Sequence, residues 1–447
     1  MSAPLDLLVI GAGACGLAGA IAAHDSGGRV AIVEGREVPG GNSALSTGSI
    51  PGAGTRFQAA VGIEDSSARM VADLRRWAGP QETEELLEIV ARECGPLCEW
   101  LVDALGVRMA LITAYRHIGH GVERLHAPPS RRGQDLVDDL LRCVAAREIP
   151  LAVGQRAERL LVSGGAVQGA VVAGEEIAAR KVLLATNGFA ADRALVARHC
   201  PEIAAAEYFG APGSSGDALR WAGELGAALG NMGAYQGYAA VAYPQGQLLS
   251  WTVIEKGGVL VGADGRRFGA EDRGYSGFAR YVLAQGPFAW AIYDRRIHEI
   301  ALAEEEYAEM SAMGAVRWAD TPEALAAALG VAGGGLSAAL REYARGSDDA
   351  LGRRDVGLAP LRPPYAGVRV KPGLFHTQGG PLVDGHARVR RQTGGVVPNL
   401  FAGGGAAAGI SGRDGALGYA SGNGLITALV LGRLAGQRAV AEVRGTV

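Results

Sequence analysis

Lysine is almost missing from this chain. Of its 43 basic residues only Lys181, Lys256 and Lys371 are lysines, and the rest are arginines. Arginine suits anionic ligands, but a biased base composition explains the preference more simply. A basic tail or stripe is also missing, and the formal net charge is −3. That leaves no electrostatic footprint for a nucleic-acid partner. Cysteine is sparse: Cys15, Cys94, Cys98, Cys143 and Cys200 are odd in number and scattered, which is not a disulfide framework. Cys94 and Cys98 stand four apart on a predicted helix and read as buried core thiols rather than a redox pair. No apolar run approaches the ~20 residues of a membrane helix. No basic-then-apolar leader precedes the strand that begins near Leu5, so the expectation is a soluble, cytoplasmic protein without membrane insertion. Internal repeats and low-complexity tracts are absent as well.

Glycine, by contrast, is abundant. The chain has 69 glycines in 447 residues, clustered in short runs beside apolar segments, as in turns where backbone approaches a ligand. The length favours two domains. The most specific stretch is "LDLLVIGAGACGLAGAIAAHDSGGRVAIVEG" near the N-terminus. It predicts a strand from Leu5 to Ile10, a glycine turn, a small-residue helix from Leu17 to His24, and a second strand from Arg29 to Val33 ending at Glu34. In this order each part has a mechanical task. Gly11 makes the tight turn, Gly13 admits backbone amides to a pyrophosphate, and Gly16 lets helix and strand pack closely. The helix N-terminus adds partial positive charge. Glu34 suits a ribose hydroxyl pair and would repel a 2′-phosphate. The ligand implied is a dinucleotide, FAD or NAD.

The following segment, "EGREVPGGNSALSTGSIPGAGTRFQ", is an extended polar, glycine-rich loop where an NAD domain would usually continue into another strand–helix unit. It resembles the flavin-contacting loop of the fumarate reductase/succinate dehydrogenase flavoprotein family, which includes soluble fumarate reductases and 3-ketosteroid Δ1-dehydrogenases. Further blocks resemble the family in its order: "RLHAPPSRRGQDLVDDLL" (124–141), the hairpin "AERLLVSGGAVQGAVVAG" (157–174), "KVLLATNGFAAD" (181–192), the cap hairpin "GGVLVGADGRRFGAED" (257–272) with Ala263-Asp264-Gly265 as its turn, and "NLFAGGGAAAGISGRDGALGYASGNGLITALVLGRLAG" (399–436). The resemblance implies an α/β fold, with a discontinuous Rossmann-like FAD-binding domain over 1–231 and 356–447 and an inserted α+β capping domain over 232–355. It places FAD contacts at Gly11, Gly13, Ala14, Cys15, Gly16, Glu34, Gly35 and Arg36, then at Gly41, Asn42, Ser43, Ser46, Thr47 and Gly48. Others fall at Ala157, Ala185, Thr186, Gly188, Asp217, Gly404, Gly422, Asn423 and Leu425. The covalent histidine of the membrane-complex members is absent from the Asn42–Gly48 loop, so FAD is expected to be non-covalent. Gly405 stands where the family commonly has a glutamate.

Two helices can be read from pattern alone. Glu82 to Leu105 carries Leu86, Leu87, Val90, Cys94, Leu97 and Leu101 on one face, a core stripe. "DTPEALAAAL" gives an N-cap at Thr321 and a helix to Leu329.

The resemblance also nominates the chemistry. His376, in "FHTQGG", matches the histidine before the family's glycine turn, with Thr377 beside it. Tyr419 stands where a fumarate reductase has its carboxylate-clamping arginine, and Arg413 lies six residues earlier. Losing an always-charged bidentate donor argues against a simple dicarboxylate, while a tyrosine hydroxyl can stabilise an enolate. The proton-handling arginine aligns near Arg273, with Tyr275 beside it, and Tyr365 falls in a Pro-x-Tyr-Ala block. His126 is nominated for the substrate edge. His117, His120 and His126 lack the spacing of a helical zinc site, and no metal is expected. The preferred function is FAD-dependent α,β-desaturation of a cyclic or hydrophobic ketone. The enzyme alternative is reduction of an unsaturated small carboxylic acid, with His376, Arg273 and Arg413 as anion holders. A different class is a flavin subunit that relays electrons to a partner. The electron acceptor and the oligomeric state have no signature in the sequence.

Overall fold

The computed structural model describes residues 4–114, 116–344 and 349–446. It is a mixed α/β fold with several sheets. The chain forms two compact units. One comprises the segment up to Cys200, Gly210–Tyr235 and the chain from His376 on; the other comprises Pro201–Phe209 and Gln236–Phe375.

The first unit is built on a sheet whose centre is Leu5–Ile10. That strand pairs in parallel with Val30–Val33 on one side and with Glu175–Leu184 on the other. Val396–Ala402 and Leu151–Ala152 extend it, also in parallel. Leu7, Leu8 and Val9 are fully buried, and a strand covered on both faces reads as a continuous apolar run. The helix Ala14–Asp25 starts three residues earlier than its sequence pattern suggested, directly after Gly13 as N-cap. It packs against the C-terminal helix Asn423–Arg444 at backbone contact distance. A Cβ at Gly432 would lie 2.2 Å from the Cys15 carbonyl oxygen, and one at Gly436 would lie 2.1 Å from that of Gly19. Small residues let the two helices approach, so the first is buried around its circumference and needs no polar face.

The amphipathic helix runs over Glu84–Asp103, and all six stripe residues are buried. The hairpin of Ala157–Ser163 and Ala166–Val172 turns through Gly164 and Gly165, both at positive φ, as a tight two-residue turn requires.

In the second unit Val259–Val261, Ala289–Asp294 and Tyr365–Thr377 are successive neighbours in a sheet. Glu207–Tyr208 and Arg317–Ala319 also pair with the long strand. Thr321 caps the helix Pro322–Leu329 by accepting from the Ala324 amide. The hairpin expected over 257–272 reduces to one bridge, Val261 to Arg267, and Val259–Val261 takes Ala289–Asp294 as its partner instead. Arg267 turns inward to bond Glu271 and Asp349, all three being nearly inaccessible, and the chain closes into a short helical turn, Glu271–Arg273. Among the described residues no helix is long and apolar enough to cross a membrane.

Candidate active site

The glycine turn of the first unit is held by side chains drawn from distant loops. Ala12 and Arg36 each donate a backbone N–H to Glu34, one to each carboxylate oxygen, at 2.9 Å. Glu34 stays half-exposed, so its remaining lone pairs are available at the end of the strand. The Ser43 hydroxyl accepts from the Ala14 amide at 3.1 Å. Ser46 donates to the Ser43 carbonyl and accepts from the Gly48 amide; Thr47 bonds Ser49; Asn42 accepts from the Ala211 amide. The side chains of this loop shape it, and backbone is what it offers to a ligand. At Gly13 a Cβ would make only ordinary van der Waals contact, with the Gly40 carbonyl at 3.5 Å and the Ser43 hydroxyl at 3.6 Å.

The fit to FAD can be tested at Thr186. Its hydroxyl is buried and has no hydrogen-bond partner, a state that normally signals a missing ligand or water. With the helix start that follows Gly13, where first-turn amides lack intrahelical acceptors and Ser43 takes only that of Ala14, these residues fit a dinucleotide. Burial pushes the Cys15 thiol up to about 12, so it stays protonated. At Gly405, where a glutamate was expected by family, a Cβ would lie 2.2 Å from Oδ1 of Asn187. Asn187 sits at φ +64 and is pinned by the Gly188 amide and the Ser214 hydroxyl. It fills the space a side chain at 405 would need. Sequence reading missed Asn187, although an Asn in an Ala-Thr-Asn-Gly turn is a left-handed signal. Asp217 directs its carboxylate to Arg156, Arg220 and Ser215, and Ala157 is buried at the start of its strand.

The first unit brings His376 and Tyr419 together. Their rings meet edge to face with centroids 5.5 Å apart. Tyr419 Oη accepts from the Gly424 amide at 3.4 Å, in the first turn of the C-terminal helix. A Cβ at Gly424 would lie 3.0 Å from His376 Nε2 and 3.3 Å from Tyr419 Oη, so all three converge on one spot. The Gln378 amide nitrogen lies 3.1 Å from His376 Nδ1, while the Thr377 carbonyl is the longer contact at 3.3 Å. Nδ1 thus lies between an amide that can donate to it and a carbonyl that can accept from it, while Nε2 has no hydrogen bond among the described residues. His376 keeps some surface open, yet protein atoms crowd the ring, and desolvation lowers its pKa to about 4. Burial raises Tyr419 to about 12. Near neutral pH the pair is therefore a neutral imidazole N–H beside a neutral phenol O–H. Gln378 and Gly424 are the members that sequence reading missed.

Other nominated residues are placed elsewhere. His126 is buried, donates through Nδ1 to the Arg124 carbonyl and accepts at Nε2 from the Thr55 hydroxyl, which leaves neither nitrogen for a substrate. Thr377 is fully buried, and its hydroxyl accepts from the Phe189 amide at 3.0 Å; it ties down the turn after Gly188 rather than a ligand. Arg413, the possible anion holder, is exposed and ion-paired with Glu82 at 2.6 Å. In the second unit, Arg273 is exposed and donates to Tyr281 Oη at 2.6 Å. Tyr275 lies in an aromatic cluster, 5.1 Å from the Tyr238 ring and 6.4 Å from that of Trp251; Phe375 and Phe209 continue the cluster. Tyr365 opens the long strand that ends at Thr377, opposite Asp294 and Ala319.

A dinucleotide cradle with an orphan threonine hydroxyl, joined to a neutral His–Tyr donor pair at a helix start, defines a flavin-dependent oxidoreductase. The FAD binding domain family matches residues 6–419, and the chain belongs to that family. A probable fumarate reductase of Shewanella frigidimarina is 30% identical over 97% of this chain and 74% of its own length. The open conformation of a flavocytochrome c3 fumarate reductase superposes with a TM-score of 0.82 at 28% identity, covering 98% of this chain and 78% of that one. A 3-ketosteroid-Δ4-(5α)-dehydrogenase of Rhodococcus jostii RHA1 shares the fold at a TM-score of 0.76 and 24% identity, covering 98% and 97% of the two chains. The protein is an FAD-dependent oxidoreductase of the fumarate reductase family.

Proposed function

We propose that this enzyme desaturates a ketone, cyclic or hydrophobic, at the bond α,β to the carbonyl. The observation that carries the reading is the Tyr419 hydroxyl beside His376 Nε2, at the position where a dicarboxylate clamp would need an arginine. In this reading the first unit is the discontinuous Rossmann-like FAD-binding domain and the residues around 232–355 are its inserted cap. FAD, held non-covalently by the glycine turn, Glu34 and Thr186, supplies the hydride acceptor when bound. The chain's own residues polarise the substrate. His376 Nε2 and Tyr419 Oη each donate to the carbonyl oxygen and stabilise the negative charge that gathers there as the α-proton leaves. Both stay neutral near pH 7, so they act as hydrogen-bond donors and not as charges. By the family resemblance, Tyr275, as its tyrosinate, is the residue proposed to take the α-proton. Arg273 suits only the reverse direction, because a guanidinium can donate a proton but is not free to accept one.

The test is an anaerobic titration of the yellow protein with saturated cyclic ketones. Bleaching of the oxidised-flavin absorbance, with an enone as product, is expected. Tyr419→Phe is expected to slow bleaching by about 10²–10³-fold, the usual effect of losing one oxyanion donor. Reoxidation of the reduced protein by an unsaturated acid, with no bleaching by any ketone, would reverse the assignment to an enoate reductase.

A further inference from the structure

The segment from His117 to His126 contains a fully buried cation. Arg124 is 0% exposed. It grips Asp65 with two bonds of 2.7 Å and reaches Asp73 at 3.2 Å. Asp73 also accepts from the Gly121 amide at 2.7 Å. The remaining reach of Arg124 Nη1 goes to His120 Nδ1, 3.3 Å away. A guanidinium only donates, so Nδ1 of His120 is the acceptor and its proton is forced onto Nε2. That N–H donates to the Ser421 carbonyl at 2.8 Å.

The same loop takes the other face of Ser421, whose amide donates to the Ile118 carbonyl at 3.0 Å. Between these two bonds Gly119, at φ +86, approaches Ala420 so closely that a Cβ would lie 2.3 Å from the Ala420 Cβ. One residue further back, Trp77 Nε1 donates to the Tyr419 carbonyl at 3.2 Å. The backbone of 419–421 is therefore held at three successive residues, immediately before the helix start at Gly422. Burial and the neighbouring Arg124 charge lower His120 to about 4, so the neutral tautomer persists near pH 7.

We infer that His120, oriented by Arg124, is a positioning residue for Tyr419 and the Gly424 amide, setting where the donor pair points. The inference rests on the reading of Tyr419 as a carbonyl partner, but it can be tested apart from it. The holoprotein carries 12 tyrosines and can be labelled with 3-fluorotyrosine, the Tyr419 line being assigned by its loss in Tyr419→Phe. In His120→Ala the ¹⁹F line of Tyr419 is expected to shift or broaden while lines from the second unit stay put. In His120→Gln, whose amide N–H reaches about as far as Nε2–H, the line is expected to return. Turnover of a cyclic ketone should follow the same order, falling about 10–100-fold in the alanine variant, as for small misplacements of a reacting group, and recovering in the glutamine variant. Trp77→Phe, which keeps the ring bulk and removes the bond to the Tyr419 carbonyl, provides a second handle if His120→Ala does not fold; it should move the same line by less. A Tyr419 line that is unmoved in both variants, or a glutamine variant that restores nothing, overturns the inference. A line that moves with His120 while Tyr419→Phe keeps full ketone turnover supports the positioning role and rejects the desaturation reading.

Discussion

His126 and His376 have the same electrostatic description. Both are driven to about pKa 4 by desolvation, both are neutral near pH 7, and both lie in blocks that resemble substrate-binding segments. Their hydrogen bonds separate them. His126 spends Nδ1 on a backbone carbonyl and Nε2 on the Thr55 hydroxyl, and Thr55 in turn caps a short helix by accepting from the Gln58 amide. His376 keeps both of its contacts, Gln378 and the Thr377 carbonyl, on Nδ1, and its Nε2 faces the Gly424 helix start with no hydrogen bond among the described residues. A shifted pKa therefore marks burial and not function. The nitrogen left over decides which imidazole can act on a ligand.

The sharpest way to break this comparison is to remove each ring in turn. His376→Ala is expected to lower kcat for ketone desaturation by about 10²–10³-fold, the cost of one oxyanion donor, with little change in Tm. His126→Ala is expected to do the opposite. It removes the acceptor of the buried Thr55 hydroxyl proton and one of the two donors to the Arg124 carbonyl, which keeps the Gly52 amide, at about 1–3 kcal/mol, and leaves kcat of the folded fraction unchanged. Flavin-bleaching rates and thermal melts on the same two variants read both effects, and a swap of the two outcomes would show that the wrong histidine has been assigned.

This division explains what could be read from the sequence. The strand–turn–helix–strand order with its closing acid is local, and it survives in the structure with only the helix start displaced. The stripe on Glu84–Asp103 is likewise a property of nearby residues. His376 and Tyr419 were legible through the blocks that surround them. The commitments of His126, Thr377 and Arg413 were not, because their partners lie far away in sequence: Thr55 is 71 residues from His126, and Phe189 is 188 residues from Thr377. No periodicity or motif encodes which buried hydroxyl will reach which ring. Asn187 carried a left-handed turn signal, but its importance appears only once Gly405 is seen to be too close to it for any side chain. The turn signal in Ala263-Asp264-Gly265 was legible, since the Gly265 amide donates to the Gly262 carbonyl and Gly265 takes φ +75, but the buried ion cluster of Arg267, Glu271 and Asp349 that follows it was not.

A smaller effect is shared by the histidines. His120, His126 and His376 each sit at about 4 in the folded protein, against about 6.5 in an unfolded chain. Between these values the unfolded state binds protons that the folded state refuses, so stability is complete above about pH 6.5 and falls as the pH drops toward 4. Melts at pH 7, 6 and 5 should show a falling Tm, and replacing His126 with Gln should make the fall shallower. A Tm independent of pH over this range would contradict the burial of these rings. Activity should show no ionisation of His376 between pH 5 and 8, because its loss of the neutral form begins lower.

The finest test alters neither ring. Gly424 is helical, and in a helix alanine is favoured over glycine by about 1 kcal/mol, so Gly424→Ala should keep or raise Tm. The added methyl would lie 3.0 Å from His376 Nε2 and 3.3 Å from Tyr419 Oη, closer than either comfortably allows. One of the two donors must give way by a few tenths of an ångström. Displacing a donor from the spot where the carbonyl oxygen is held should cost about tenfold in turnover while the fold gains. A variant that is more stable and equally active would mean that the substrate carbonyl does not sit at the edge where these three residues converge, and the distinction between the two histidines would then have to rest on something other than the free Nε2.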